Sequence, residues 1–94
     1  MIVLVAYDIE DDETRVRLSD YLKSKGLTRI QRSVFVGRLL PSTAKDVERA
    51  LPRFVKGERD VIHYIPLLEY SLRYLKCFGH PLAVLSVDRE PLVV

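Results

Sequence analysis

The chain has 94 residues, 48% of them hydrophobic and 30% charged, with a formal net charge of +2. That length fits one domain, read as 1–94, and the composition excludes a disordered chain, a polybasic tail and a strongly acidic solvating protein. Cys77 is the only cysteine, which excludes an internal disulfide and a cysteine zinc site.

No apolar run approaches the length of a membrane span, so no membrane contact is expected. The run Ile2–Ala6 lacks the basic flank and cleavage site of a signal peptide, and a cytoplasmic location follows as the default. The small net charge conceals a segregation. Residues 1–14 hold Asp8, Glu10, Asp11, Asp12 and Glu13 and no base, a net of −5. Residues 15–59 hold twelve bases against Asp20, Asp46, Glu48 and Glu58, a net of +8, and residues 60–94 a net of −1. A basic middle beside an acidic cluster suits a polyanion and a cation together; it equally suits two solvated helix faces. Asn is absent and Gln31 is the only Gln, a depletion seen in proteins from hot environments.

In chain order, Ile2–Ile9 is a continuous apolar run of strand length that ends in Tyr7-Asp8-Ile9, as in a strand covered on both faces. Asp11 or Asp12 then caps a helix over about Glu13–Lys25, with acids in its first turn. Leu18, Tyr21 and Leu22, extended by Val16, form its apolar side, and Gly26 is its C′ residue. Leu27–Leu39 reads as one strand, with Ile30, Val34 and Val36 on one parity and Arg29, Gln31, Ser33 and Phe35 on the other. Gly37 allows a bend or bulge that would change that parity.

Ser42 or Thr43 is the expected cap of a second helix, with Ala44, Val47, Leu51, Phe54 and Val55 at helical spacing and Pro52 interrupting that period to end or kink it near Leu51. Asp60–Leu67 reads as a strand, Glu69–Arg73 as a short helical turn and Tyr74–Phe78 as a further strand in which Cys77 is buried. Leu82–Val87 and Pro91–Val94 read as extended chain. The resulting order, β-α-β-α-β-β, leaves the topology open. Helices on one sheet face leave the other needing cover, which a dimer sharing sheet faces would supply.

Asp8 stands where an apolar strand stops, a placement shared by metal ligands and by ordinary turn or capping residues. One Asp is a poor magnesium site; two copies related by a twofold axis make a reasonable one. Arg15 and Arg17 can reach phosphate oxygens or simply solvate the first helix. Arg29, Ser33 and Phe35 on one strand face could hold a nucleotide or serve an edge. His63 and His80 have no partner at metal or general-base spacing, and no Gly-rich phosphate loop or nucleophile elbow is present.

Two segments are specific when taken together. Val5-Ala6-Tyr7-Asp8-Ile9 is followed by acids, and Gly26-Leu27-Thr28-Arg29-Ile30-Gln31-Arg32-Ser33-Val34-Phe35 by Gly37. The chain so resembles the small CRISPR-associated endonuclease family numbered two, the partner of the integrase in CRISPR spacer acquisition. The resemblance covers nearly the whole chain and departs only peripherally, at Pro52 and over Leu68–Pro81. It implies an α+β, ferredoxin-like sandwich: a four-stranded antiparallel sheet with two helices on one face. It implies a homodimer in which a late strand, here 82–94, adds to the partner's sheet.

The resemblance also assigns roles. Asp8 would be the metal ligand and, with Arg29, catalytic; one Mg²⁺ (or Mn²⁺) would be shared by the two Asp8 of a dimer. Tyr7, Arg15, Arg17, Ser33 and Phe35 would serve nucleic-acid binding. The implied function is a metal-dependent endonuclease cutting single-stranded RNA or double-stranded DNA during spacer acquisition. The alternative is a non-catalytic DNA-binding scaffold bridging integrase dimers. A third reading, an interaction module outside CRISPR systems, is open on the residues alone.

Overall fold

The computed structural model describes residues 1–83 and the backbone of 86–87 and 90–91. The elements run β1 (Ile2–Asp8), α1 (Asp12–Ser24), β2 (Thr28–Gln31), β3 (Val34–Arg38), α2 (Pro41–Ala50), a 3-10 turn (Leu51–Phe54), β4 (Val61–Leu67), α3 (Glu69–Arg73), β5 (Ser86–Val87) and β6 (Glu90–Pro91). The order through β4 is β-α-β-β-α-β, and the sheet runs β2-β3-β1-β4 with every pairing antiparallel. This is the ferredoxin-like arrangement.

The segment after α1 differs in kind from the sequence reading. Leu27–Leu39 is a hairpin of β2 and β3 rather than one strand, turned by Arg32-Ser33 with Gln31 opposite Val34. The irregularity falls between Arg29 and Gln31 rather than at Gly37, and it brings Arg29 opposite Phe35. Gly37 serves another purpose. A Cβ there would stand 2.9 Å from both the Gly26 carbonyl and Leu27 Cα, so the loop after α1 packs directly on bare backbone.

Alternation along β1 builds two layers. Val3, Val5 and Tyr7 point to the helices and pack with Phe35, Leu18, Leu22, Leu27, Leu39, Ala44, Val47 and Leu51. The helix spacings explain those contacts: Thr14, Leu18 and Leu22 are buried at four-residue intervals, and Ala44, Val47 and Leu51 along α2 and its continuation. Ile2 and Val36 point the other way, toward Leu72 of α3, with Leu4, Ile30, Leu67 and Leu75 around them. An Arg38–Glu69 ion pair of 3.1 Å ties α3 to β3. Beyond α3 the same face carries Ala6, Val34, Val61 and Ile65, the last two 40% exposed, and ends at Asp8.

The helix ends follow local chemistry. Asp11 caps α1, accepting from the Thr14 N–H at 2.9 Å and the Thr14 hydroxyl at 2.7 Å. At the other end Gly26, at φ 99°, places its N–H on the Lys23 carbonyl and that of Leu27 on Leu22. The second helix departs from expectation: Leu40 is its N-cap with no side-chain bond, and Pro41 rather than Ser42 or Thr43 sets its start. Pro52 converts its end to a 3-10 turn, as its missing N–H requires.

Tyr74–Phe78 is not a strand, and Cys77 there is half-buried. Val16, assigned to the apolar side of α1, is 59% exposed. Ser86–Val87 pairs with Glu90–Pro91; the rest of the late strand assigned to 82–94 lies outside the described residues from 84 onward. Among the described residues no helix is long and apolar enough to cross a membrane.

Candidate nucleic-acid site

A groove of about 620 Å³ opens between α1 and the β2–β3 turn. Tyr7, Asp8 and Ile9 close one end, Arg15, Val16, Ser19, Asp20 and Lys23 line the helix wall, and Arg29, Arg32 and Ser33 complete it. Two chain segments distant in sequence therefore meet where β1 stops. Asp8 is exposed at this junction.

Beneath the groove Arg29 is held on three sides. Its Nη2 donates to the Ser19 hydroxyl at 2.6 Å, and its guanidinium lies 5.4 Å from the centre of the Phe35 ring. Burial pushes the Tyr7 hydroxyl pKa up, and the adjacent Arg29 charge pulls partly against it. Tyr7 in turn stacks on Phe35, centroids 6.2 Å apart. The Arg29 Nε is buried with no hydrogen-bond partner among the described residues. Phe35 is 0% exposed, so its ring supports Arg29 and Tyr7 and presents no surface to a ligand.

Arg15 is occupied by the fold. Its Nη1 donates to the Ile9 carbonyl at 2.8 Å and the Glu10 carbonyl at 3.0 Å, while Nη2 pairs with Asp12. It clamps the loop that follows Asp8. Arg17 is exposed on α1 outside the groove, close enough to Asp11 to favour that carboxylate's charge. Ser33 lines the groove, and its carbonyl accepts the Tyr7 N–H at 3.0 Å, extending the β1–β3 ladder to the site.

Sequence reasoning missed Ser19, Asp20, Lys23 and Arg32 as groove residues, and Asp60 as its support. Asp60 accepts the Glu10 N–H at 3.1 Å, the Lys56 N–H at 3.1 Å and the Gly57 N–H at 2.8 Å. One carboxylate thus fixes the turn before β4 to the loop after Asp8, and these N–H groups hold its pKa below the ordinary value. The available signal was Arg32 within the Gln31-Arg32-Ser33 segment; nothing in the local sequence marks Ser19 or Asp60.

Among the described residues no three His, Cys, Asp or Glu side chains converge to hold a metal ion. Asp8 offers one exposed hard-oxygen ligand. That fits Mg²⁺, which binds through one or two carboxylates and keeps several waters, provided a further carboxylate comes from outside the single chain.

Comparison with known proteins agrees with this architecture. Residues 1–73 match the family described as CRISPR associated protein Cas2. A CRISPR-associated endoribonuclease Cas2 of Pyrobaculum aerophilum is 56% identical over 57 residues, covering 61% of this chain and 63% of that protein, which is under two thirds of its length. A CRISPR-associated endonuclease Cas1/endonuclease Cas2 fusion of Thermoproteus tenax is 46% identical over 57 residues, 61% of this chain and 22% of the fusion. The crystal structure of Streptococcus pyogenes Cas2 superposes with a TM-score of 0.71 at 24% identity, covering 84% of this chain and 100% of that one; at that identity the likeness shows the fold.

Proposed function

The chain belongs to the CRISPR-associated Cas2 family, and we propose that it is a metal-dependent endonuclease of CRISPR adaptation, acting on nucleic acid at the Asp8 groove. One juxtaposition carries the reading. An exposed carboxylate at the end of β1 lines the same groove as Arg15, Lys23, Arg29 and Arg32. Relatives named endoribonucleases support nuclease action. The fused Thermoproteus protein supports a CRISPR-associated nuclease as partner, the place the integrase takes in the family.

In this proposal Asp8 holds the divalent cation, Mg²⁺ or Mn²⁺, with the Asp8 of a second copy completing the set. When bound, such an ion polarises a phosphodiester and lowers the pKa of its water. The chain's own residues do the rest. Arg29, oriented by Ser19 and stacked on Phe35, places fixed positive charge beside the groove, where developing phosphate charge needs it. Arg15 and Asp60 fix the loop after Asp8 from two sides, so the carboxylate is positioned before substrate arrives. Ala6, Val34, Val61 and Ile65, grouped around the exposed His63 and running to Asp8 on the sheet face opposite α1 and α2, support a homodimer joined there.

The scaffold reading is favoured by one observation. Lys23 and Arg32 are exposed bases that need no catalysis to bind phosphates. A nuclease panel separates the two. Wild type and Asp8→Ala are compared on single-stranded RNA and duplex DNA, with and without Mg²⁺. The proposal predicts cleavage that needs metal and falls at least about 100-fold in Asp8→Ala. Full metal-dependent cleavage by Asp8→Ala would overturn the assignment, and no cleavage by wild type with intact DNA binding would favour the scaffold.

A further inference from the structure

The groove holds four bases, but they are not equally free. Arg15 has its guanidinium on two carbonyls and on Asp12, and Arg29 has one arm on Ser19 and its Nε buried. Lys23 and Arg32 line the same groove, are exposed, and have no hydrogen-bond or ion-pair partner among the described residues. Asp20 stands three residues before Lys23 on α1, a spacing that allows an ion pair, yet none forms.

These two residues come from opposite walls. Lys23 lies in the last turn of α1, and Arg32 in the two-residue turn between β2 and β3. An ammonium is a compact point charge with three rotatable donors; a guanidinium is a planar fork that grips phosphate oxygens in pairs. Arg29 meets Ser19 between them, so a strand laid along the groove passes both bases, with Ser33 lining the same groove.

We infer that Lys23 and Arg32 form a phosphate-gripping subsite of the groove that carries Asp8, each base holding a backbone phosphate of a strand laid along it. The subsite rests on the reading of the groove as a nucleic-acid site, and it sets affinity and register rather than bond cleavage. Arg15, though it lines the same groove, contributes through the loop it clamps and not through the phosphate. Asp20 lines the same groove and weakens binding of the anionic strand.

The test is binding without chemistry. The full chain is titrated in EDTA against labelled single-stranded RNA and DNA oligonucleotides, by fluorescence anisotropy over a range of salt concentrations. Lys23→Ala and Arg32→Ala are each expected to weaken binding about fivefold at 0.1 M salt and to lower the log–log salt slope by about 1. Asp20→Asn should tighten it about twofold. The control is Lys45→Ala/Arg53→Ala, which removes two exposed bases outside the groove. It should stay within about twofold of wild type, whereas the Lys23→Ala/Arg32→Ala double variant should not. Equal losses in the two double variants would mean diffuse charge attraction and would overturn the subsite; so would a double variant that binds like wild type. Loss of binding in the groove variants, in a protein that cleaves nothing, would leave the subsite standing and remove the nuclease reading. Unaltered binding in a protein that does cleave would do the reverse.

Discussion

Two neighbouring parts of the groove differ in how they are held. At the β1–α1 junction every polar contact is internal: Asp11 caps α1, Arg15 grips the Ile9 and Glu10 carbonyls, and Asp60 accepts the Glu10 N–H. At the β2–β3 turn Arg32 is exposed and without such ties. Similar side chains thus do opposite work. Arginine at 15 spends its donors fixing a loop, and arginine at 32 keeps them for a ligand. The difference lies in the backbone within reach, because a guanidinium beside two unpaired carbonyls satisfies them first.

The sharpest way to break this contrast is at the junction itself. Asp8→Asn keeps the side-chain shape and removes the charge, and it is expected to reduce metal-dependent cleavage at least about 100-fold while leaving metal-free oligonucleotide affinity within about twofold. Parallel kinetic and anisotropy measurements check both halves. Next in size is the packing that sets the groove walls apart. Gly37→Ala would drive a Cβ to 2.9 Å from the Gly26 carbonyl and Leu27 Cα, both backbone. It should cost about 1–3 kcal/mol in urea unfolding, because backbone must move to accept it. Leu18→Ala, in the fully buried face of α1, should cost about 2–5 kcal/mol by the same assay.

Smaller effects separate fixed from free arginines. Arg15→Ala should destabilise the fold by about 1 kcal/mol, discounted for its partial exposure, and should accelerate amide exchange at Glu10 and Asp11. Arg32→Ala should leave both stability and exchange unchanged. The smallest effect is in pH. Asp11 and Asp60 both have carboxyl groups held below the ordinary value, mainly by the Thr14 side chain for Asp11 and by the Gly57 N–H for Asp60. A lowered folded pKa means stability that is present above the unfolded value, about 4, and lost as pH falls through the folded one. The thermal midpoint of wild type should therefore drop below about pH 4, and Asp11→Asn/Asp60→Asn should show a shallower drop.

Much of the scaffold is legible in the sequence, for reasons that can be named. β1 and α1 announce themselves by an unbroken apolar run and by a cap, an apolar face and a C′ glycine. The Glu69–Arg73 turn and the change at Pro52 are likewise local chemistry. The hairpin over residues 28–38 is hidden because its turn is Arg32-Ser33, with none of the glycine, proline or asparagine that normally marks one, between two β-rich runs. The start of α2 is missed because Pro41 fixes the first turn without a side-chain cap. At the site, Tyr7, Asp8, Arg29 and Ser33 are found through the family pattern. Ser19, Lys23 and Asp60 are not, because only the folded chain brings α1 and the turn before β4 to the end of β1. Arg17 and Phe35 share the pattern, but one faces solvent outside the groove and the other is sealed beneath it.

The central claim is that one groove unites Asp8 with the unpaired bases, and amide shift mapping reads it residue by residue. With ¹⁵N-labelled protein titrated with a short single-stranded oligonucleotide in EDTA, the largest shifts are predicted at Tyr7–Ile9, Asp20–Lys23 and Arg32–Ser33, with α2 unperturbed. Shifts concentrated on α2, or spread evenly over exposed bases, would contradict it.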